Sequence, residues 1–504
     1  MDTDSTNWLR LRSGSGIRGP EQLLTDARAE KLGYAFACWL AERLDTTPDA
    51  LRLAVGRDPR PSGARIKAAL TRGITAADSD VLDCGECATP ALFMTVQEGP
   101  ERVDGAVMVT ASAPIPGVNG FRFITSKGGL QGADVEEILR RAAKAEVPER
   151  LVVRCDATAR YYENLRRVAA RYLEDDALKP LLGMRVVVDA RDSAGRRFAE
   201  FLADLGVETE GSLRLETGDA GDYLARPEDP AALREIARAV RENRADMGVI
   251  LSADGDRAAI VDQDGRAVAQ NRLIALVAAM LLDVHPGATF VTDSVTSSGL
   301  SAFIAEWGGI HYRFKRGYRN VIDEAIRLNG EGIDCPLAIE TSGHAAFREN
   351  GFLDDGAYLA TRIICEALNR KREGQLLFSL IDDLQEPVES AEVRLPILEY
   401  EDWEPEEEAQ EIVEIILSHT LTHPEWQPAP DSREGVRITF NLDGGVNNAW
   451  FQLRMSVHDP VMVLNAESAV PGGVQRILEA LYGLIGDTEK LELGPLRKAI
   501  GKQA

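Results

Sequence analysis

One local unit occurs three times at wide intervals along the chain. A short Val- and Leu-rich run passes through a turn of small and polar residues into an apolar period of the helical kind. It reads "LRLAVGRDPRPSGARIKAAL" at 51–70, "MRVVVDARDSAGRRFAEFLADL" at 184–205 and "TFVTDSVTSSGLSAFIAEW" at 289–307. Continuous short apolar runs suit buried strands, and the 3.6-residue period that follows suits a helix packed on one face. A strand feeding a helix through a short turn is the start of an α/β layer, so three of them predict three similar mixed α/β domains in series. The likeness is of pattern, not of residues.

The last part of the chain reads differently. "LEYEDWEPEEEAQEIVEII" at 398–416 opens on an acidic run, whose carboxylates suit a helix N-terminus, and continues with helical periodicity. "EGVRITFNLDGGVNNAWFQLRMSV" at 434–457 reads as two alternating strands around a Gly-Gly turn. A C-terminal α+β domain follows, joined by a linker expected near 386–396. The domains are expected at 1–155, 156–270, 271–390 and 391–504.

Composition limits the partners. The chain has 504 residues, 44% hydrophobic and 27% charged, with a formal net charge of −24. Nucleic acid and anionic membranes are bound through an excess of Lys and Arg, so neither is expected. A small anion remains possible where arginines gather. The start "MDTDSTNWLR" lacks the basic and apolar regions of a secretory leader, and the apolar run at 273–282 falls short of the ~20 residues of a spanning helix. A cytoplasmic protein is expected. Six cysteines (38, 84, 87, 155, 335 and 365) are too sparse for a disulfide scaffold. Cys84 and Cys87 form a C-x-x-C without a second metal-type pair and read as reduced thiols. His419 and His423 are four apart, but Pro424 stops a helix there, and they read as surface histidines.

Four turns carry chemistry. "VMVTASAPIPGVNGFRF" at 107–123 runs a strand into a turn with Ser112 at its tip and prolines at 114 and 116, which restrict the backbone and suggest that Ser112 is held still. "SADGDRAAIVD" at 252–262 lies between the strands "MGVIL" and "AAIVD" and sets Asp254 and Asp256 two residues apart. Such oxygen donors suit Mg²⁺, although Asp and Gly are also ordinary hairpin residues. "AIETSGH" at 338–344 ends a strand on Glu340, Ser342 and His344, groups able to hydrogen-bond vicinal hydroxyls. "LRMSVHDP" at 453–460 places Arg454 and Ser456 on one strand face, followed by His458, as donors for a phosphate or as a solvated strand.

In order and chemistry these turns resemble the α-D-phosphohexomutase superfamily, which includes phosphoglucomutase and phosphomannomutase. The likeness covers essentially the whole chain. That family has four domains around a central cleft, each giving one loop: a phosphoserine loop "TASHNP", a metal loop "DGDGDR", a sugar loop "ExSGH" and a phosphate loop with an R-x-S core. Thr110, Ala111, Ser112, Asn119 and Gly120 match the first, and Asp254, Asp256 and Arg257 the second. Glu340, Ser342, Gly343 and His344 match the third, and Arg454 and Ser456 the fourth. "GSGIRG" at 14–19, with Arg18, and "VGRDPRPSG" at 55–63 resemble two further family segments. The runs "RFKRGYRNVIDEAIRLNG" and "RMSVHDP" look closest to a branch known from plant phosphoglucomutase-like proteins.

The resemblance implies interconversion of hexose 1- and 6-phosphates through a phosphoserine at Ser112 and a hexose 1,6-bisphosphate, which also acts as activator. It implies one Mg²⁺ per chain, held by phosphorylated Ser112 with Asp254 and Asp256. Arg257 would assist, Glu340 and Ser342 would read sugar hydroxyls, and Arg18, His344, Arg454, Ser456 and His458 would bind substrate. A monomer or homodimer acting on a small sugar phosphate is expected. Three positions depart from the family pattern. Ser252 stands where the first metal aspartate is usual, Ala113 where a histidine follows the serine, and Arg122 where a lysine is a candidate acid or base. A guanidinium with pKa above ~12 is poorly suited to moving protons near neutrality. These changes fit an altered mutase, and also a homologue that binds sugar phosphates without turning them over.

Overall fold

The computed structural model describes residues 8–97, 102–112, 115–148, 153–154, 156–175, 177–190, 194–214, 226–398, 404–456 and 459–501. Ala113, Pro114, Cys155 and His458 lie outside the described residues. The chain divides into two compact units, residues 1–273 with 342–379, and residues 274–341 with 380–504.

The first unit holds two sheets. In one, the parallel strands Arg52–Arg57, Asp80–Glu86 and Gly105–Val109 continue through an antiparallel pair, Gly105–Val109 with Val118–Thr125, to Gly16–Pro20. Helices Asp26–Arg43, Gly63–Ala76 and Gly132–Lys144 contribute Leu32, Phe36, Leu40, Leu70 and Ile138 to a core shared with Val107, Phe121 and Phe123 from the sheet. In the other, Met247–Leu251 and Ala258–Asp262 form an antiparallel hairpin, with Val186–Asp189 parallel to the first of them. Every residue of that hairpin's two strands is buried, which is why each reads as a continuous apolar run. Ile236 and Val240 of helix Pro230–Asn243 pack against Val187, Ile250 and Val261. The segment after 341 adds the short antiparallel pair Ala345–Phe347 and Leu353–Asp354, then helix Gly356–Arg372, whose first turn is capped by Asp355 accepting from the Tyr358 amide.

The second unit has a parallel set, Ile310–Phe314, Thr289–Asp293 and Leu337–Ile339, with helices Ser298–Glu306 and Tyr318–Gly330. Its antiparallel sheet runs Glu389–Pro396, Val461–Ser468, Ala449–Met455, Val436–Phe440, Gln427–Pro428, and packs with helices Pro405–Thr420 and Gly473–Ile485 around Ile412, Phe451, Leu464 and Leu481. Pro405 sits in the first turn of its helix with Glu406, Glu407 and Glu408, in keeping with the acidic start read from the sequence.

All three strand-turn-helix units are present, as Arg52–Arg57 into Gly63–Ala76, Val186–Asp189 into Ala194–Asp204, and Thr289–Asp293 into Ser298–Glu306. The α/β class holds, and the two strands expected within 434–457 are Val436–Phe440 and Ala449–Met455, paired antiparallel in the C-terminal α+β part. The expected linker does not. Residues Glu389–Pro396 form a strand paired over its whole length with Val461–Ser468. Only Val393 and Leu395 of "ESAEVRLP" are buried, and the charged residues between and before them point outward, so the apolar signal is too short to stand out. Among the described residues no helix is long and apolar enough to cross a membrane.

Candidate active site

The serine turn is built from the end of Gly105–Val109. Ser112 takes a left-handed φ of 50°, a conformation that costs a non-glycine residue roughly 1–2 kcal/mol and therefore needs support. Its amide donates to Thr110 Oγ1 at 3.0 Å, and Thr110 Oγ1 donates to Asp58 Oδ2 at 2.7 Å. Asp58 and Arg60, both buried, form an ion pair at 2.8 Å. Arg60 Nη1 continues to the Val118 carbonyl at 3.0 Å, beyond the far end of the turn. One buried ion pair therefore ties both flanks of the turn. Burial pushes the Asp58 carboxyl up, while Arg60 and Thr110 pull it down. Gly120 is required here: a Cβ would lie 2.0 Å from the Ile17 carbonyl oxygen. Arg18, across the strand pair from Gly120, donates from Nε to the Ala111 carbonyl at 2.8 Å.

Ser112 Oγ donates to Asp254 Oδ2 at 3.1 Å, and Arg257 Nη2 donates to the Ser112 carbonyl at 3.1 Å. Asp254, Asp256 and Arg257 lie on the connection of the Met247–Leu251 hairpin, where the Ser252 hydroxyl is 3.0 Å from both Asp254 Oδ1 and Asp256 Oδ1. Burial and the neighbouring Asp256 carboxylate push Asp254 up to about 6. For Asp256, burial is outweighed by His344, Arg122 and Arg257, which hold it well below the usual carboxylate range.

Two further chain segments reach this cluster. Arg122, on Val118–Thr125, bonds Asp256 Oδ2 through Nη1, lies 4.0 Å from Asp254 Oδ2, and reaches Asp354 Oδ2 at 3.7 Å through Nη2. Gly343, at φ 88°, donates no side chain into the space beside Ala258, where a Cβ would lie 2.4 Å from the backbone oxygen. That close approach forms an Arg257–His344 bridge and turns His344 Nε2 to 3.3 Å from Asp256 Oδ2 and 3.7 Å from Asp354 Oδ2. Ser342 Oγ lies 2.9 Å from His344 Nδ1.

These donors fit a divalent cation. Asp254 and Asp256 offer hard oxygen donors beside the Ser112 hydroxyl, and donor atoms of Asp256, His344 and Asp354 lie within 4.8 Å of one another. Arg122 already occupies one of the shared carboxylates.

The second unit carries a separate polar cluster. Glu340, buried after strand Leu337–Ile339, accepts from the Gly317 amide at 2.6 Å. Asp293 accepts from Thr341 Oγ1 at 2.7 Å and lies 3.8 Å from Arg316 Nε; burial pushes it up to about 6. Arg454, on Ala449–Met455 and 5% exposed, faces Glu434 at 3.8 Å. Glu434 also accepts from the Arg316 amide at 3.1 Å and from the Ser294 hydroxyl. Burial lowers the Arg454 guanidinium below its ordinary value, Glu434 opposing the shift. Ser456 lies just past the strand, its amide donating to the Val461 carbonyl at 2.8 Å.

Thus Arg18, Ser112, Arg122, Asp254, Asp256, Arg257, Ser342 and His344 belong to one unit, and Glu340, Arg454 and Ser456 to the other. Arg57 pairs with Glu86 at 2.9 Å, and Arg319 with Asp323 one helical turn on. Sequence reasoning missed Asp354, Arg316, Glu434 and the Asp58–Arg60 brace. "GRDPR" and "LDDG" were visible signals for two of these. Nothing local marks Glu434.

Residues 10–149 match the family model "Phosphoglucomutase/phosphomannomutase, alpha/beta/alpha domain I", 159–265 match domain II and 269–387 match domain III. A phosphoglucomutase of Neisseria gonorrhoeae is 26% identical over 93% of this chain and 95% of its own. A phosphoglucosamine mutase of Methylobacterium sp. (strain 4-46) is 30% identical over 75% of this chain and 83% of its own. A solved phosphoglucomutase/phosphomannomutase family protein of Burkholderia thailandensis shares the fold, with TM-score 0.77 and 23% identity over 96% of this chain and 99% of its own.

Proposed function

Because the chain belongs to the phosphoglucomutase/phosphomannomutase family and is a phosphohexomutase, we propose that it interconverts a hexose 1-phosphate and its 6-phosphate through phosphoserine at Ser112. The observation that carries this reading is the placement of Ser112, its hydroxyl 3.1 Å from Asp254 and its carbonyl held by Arg257 on a braced turn. Phosphoryl transfer asks mainly for positioning and charge neutralisation. The phosphoryl group leaves Ser112 Oγ for the free hydroxyl of the sugar phosphate, and the displaced hydroxyl proton ends on Ser112 Oγ. The resulting 1,6-bisphosphate then returns its other phosphoryl group to Ser112, and it also serves as activator.

Mg²⁺ would be held by Asp254, Asp256 and the phosphate on Ser112, and would neutralise charge on the transferring group. Arg257 steadies the turn by its bond to the Ser112 carbonyl. Glu340 and Ser342 read sugar hydroxyls, and Arg18, His344, Arg454, Ser456 and His458 bind substrate. The proposed domains are 1–155, 156–270, 271–390 and 391–504.

The test is a coupled assay of glucose, mannose and glucosamine 1-phosphates, each with its 1,6-bisphosphate and Mg²⁺. Turnover of at least one to the 6-phosphate is expected. Binding of glucose 1-phosphate with turnover of none would select a sugar-phosphate binding role instead.

Two variants probe the parts separately. Arg454→Ala removes a buried guanidinium and should lower kcat/KM by about 10- to 100-fold, the worth of a charge-assisted phosphate contact. Unchanged kinetics would remove Arg454 from the substrate contacts. Ser252→Asp adds a third carboxylate where the hydroxyl now bridges Asp254 and Asp256. Titration calorimetry should show Mg²⁺ binding tightened by about tenfold. An equal or weaker affinity would place residue 252 outside the metal shell.

A further inference from the structure

We propose that the Arg122 guanidinium is a resident cation that competes with the divalent metal for Asp256, so that metal binds only as Arg122 shifts toward Asp354. The inference rests on the metal reading above and adds to it a device made of this chain's own residues.

The geometry is specific. Nη1 of Arg122 bonds Asp256 Oδ2, and the same guanidinium lies 4.0 Å from Asp254 Oδ2, so it spans both carboxylates that would ligate the metal. Arg122 is 9% exposed and sits within strand Val118–Thr125, opposite Met108, so its backbone cannot withdraw the side chain into solvent. An arginine remains charged at any working pH, so this cation cannot leave by losing a proton as a lysine can. A divalent ion and a guanidinium on the same carboxylate repel each other at short range in a medium that screens poorly.

Asp354 supplies the other seat. Its Oδ2 is 3.7 Å from Arg122 Nη2, and His344 Nε2 is 3.7 Å from the same oxygen. A small rotation about the end of the arginine side chain exchanges Asp256 for Asp354 and leaves Asp256 open to metal. Ser252, with no charge of its own, gives the metal no third carboxylate with which to win this competition.

The test is titration of the full chain with MgCl₂ by calorimetry, together with the rise in unfolding temperature that Mg²⁺ produces. Arg122→Gln should bind Mg²⁺ at least about tenfold more tightly than wild type and gain more thermal stability from it. Asp354→Asn removes the second seat, keeps Arg122 on Asp256, and should weaken Mg²⁺ binding by about threefold or more. Equal affinity in wild type and Arg122→Gln would overturn the competition while leaving the metal reading intact. Absence of Mg²⁺ binding in every variant would remove the metal reading and this proposal with it. Should Arg122→Gln fail to fold, Arg122→Met, which removes the same charge, takes its place, and affinity equal to wild type overturns the proposal.

Discussion

Ser112→Ala lowers mutase turnover by at least about 10³-fold, the scale expected when a covalent carrier is removed rather than weakened. The substitution deletes one hydroxyl and its 3.1 Å bond to Asp254 but leaves the Thr110 bond to the residue 112 amide and the Arg257 bond to its carbonyl. The turn should therefore keep its shape, and the loss should fall on kcat with the unfolding transition little moved. Peptide mapping after incubation with glucose 1,6-bisphosphate should find a phosphate on Ser112 in wild type and none on this peptide in the variant. Phosphate on another serine, with Ser112 bare, would overturn the assignment.

Asp58→Ala should cost about 3–5 kcal/mol in chemical unfolding, because it strands the Arg60 guanidinium in a buried site without its partner. The effect should be far larger than for an exposed pair such as Arg197 and Glu200, whose loss should lie within about 1 kcal/mol. Replacing both partners, Asp58→Ala with Arg60→Met, should recover part of the loss, since no uncompensated charge then remains buried. Turnover should fall in the single variant even where it stays folded, because Asp58 accepts from Thr110 and Thr110 holds the Ser112 amide. A single-variant cost below about 1 kcal/mol would show that the pair does not brace the turn.

The contrast between these two residues also separates what is local from what is not. Ser112 could be singled out from the chain alone because its neighbours in sequence make the turn: a strand ending at Val109, small residues, then Pro116. The Asp254–Asp256 loop was equally legible, since two apolar runs bracket it and become the paired strands Met247–Leu251 and Ala258–Asp262. The three strand-turn-helix units were legible for the same reason: alternation and helical period are set by which face of a short segment is buried, and a dozen neighbouring residues suffice to show them.

Long-range burial decided the rest. The sequence shows an arginine at 122 but not that its guanidinium meets Asp256, 134 positions away in the chain. That the close approach at Gly343 turns the His344 ring toward Asp256 and Asp354 could not be read from "ETSGH" itself. Glu389–Pro396 passed for a linker because its hydrogen-bonding partner, Val461–Ser468, lies some 70 residues downstream and supplies the ladder that its sparse apolar residues do not advertise. Local pattern states what a segment can become and which chemistry it carries. Which charge neutralises which, and which weak strand is completed, depends on groups brought together only by folding, where low-dielectric burial makes an unpaired charge or backbone group costly.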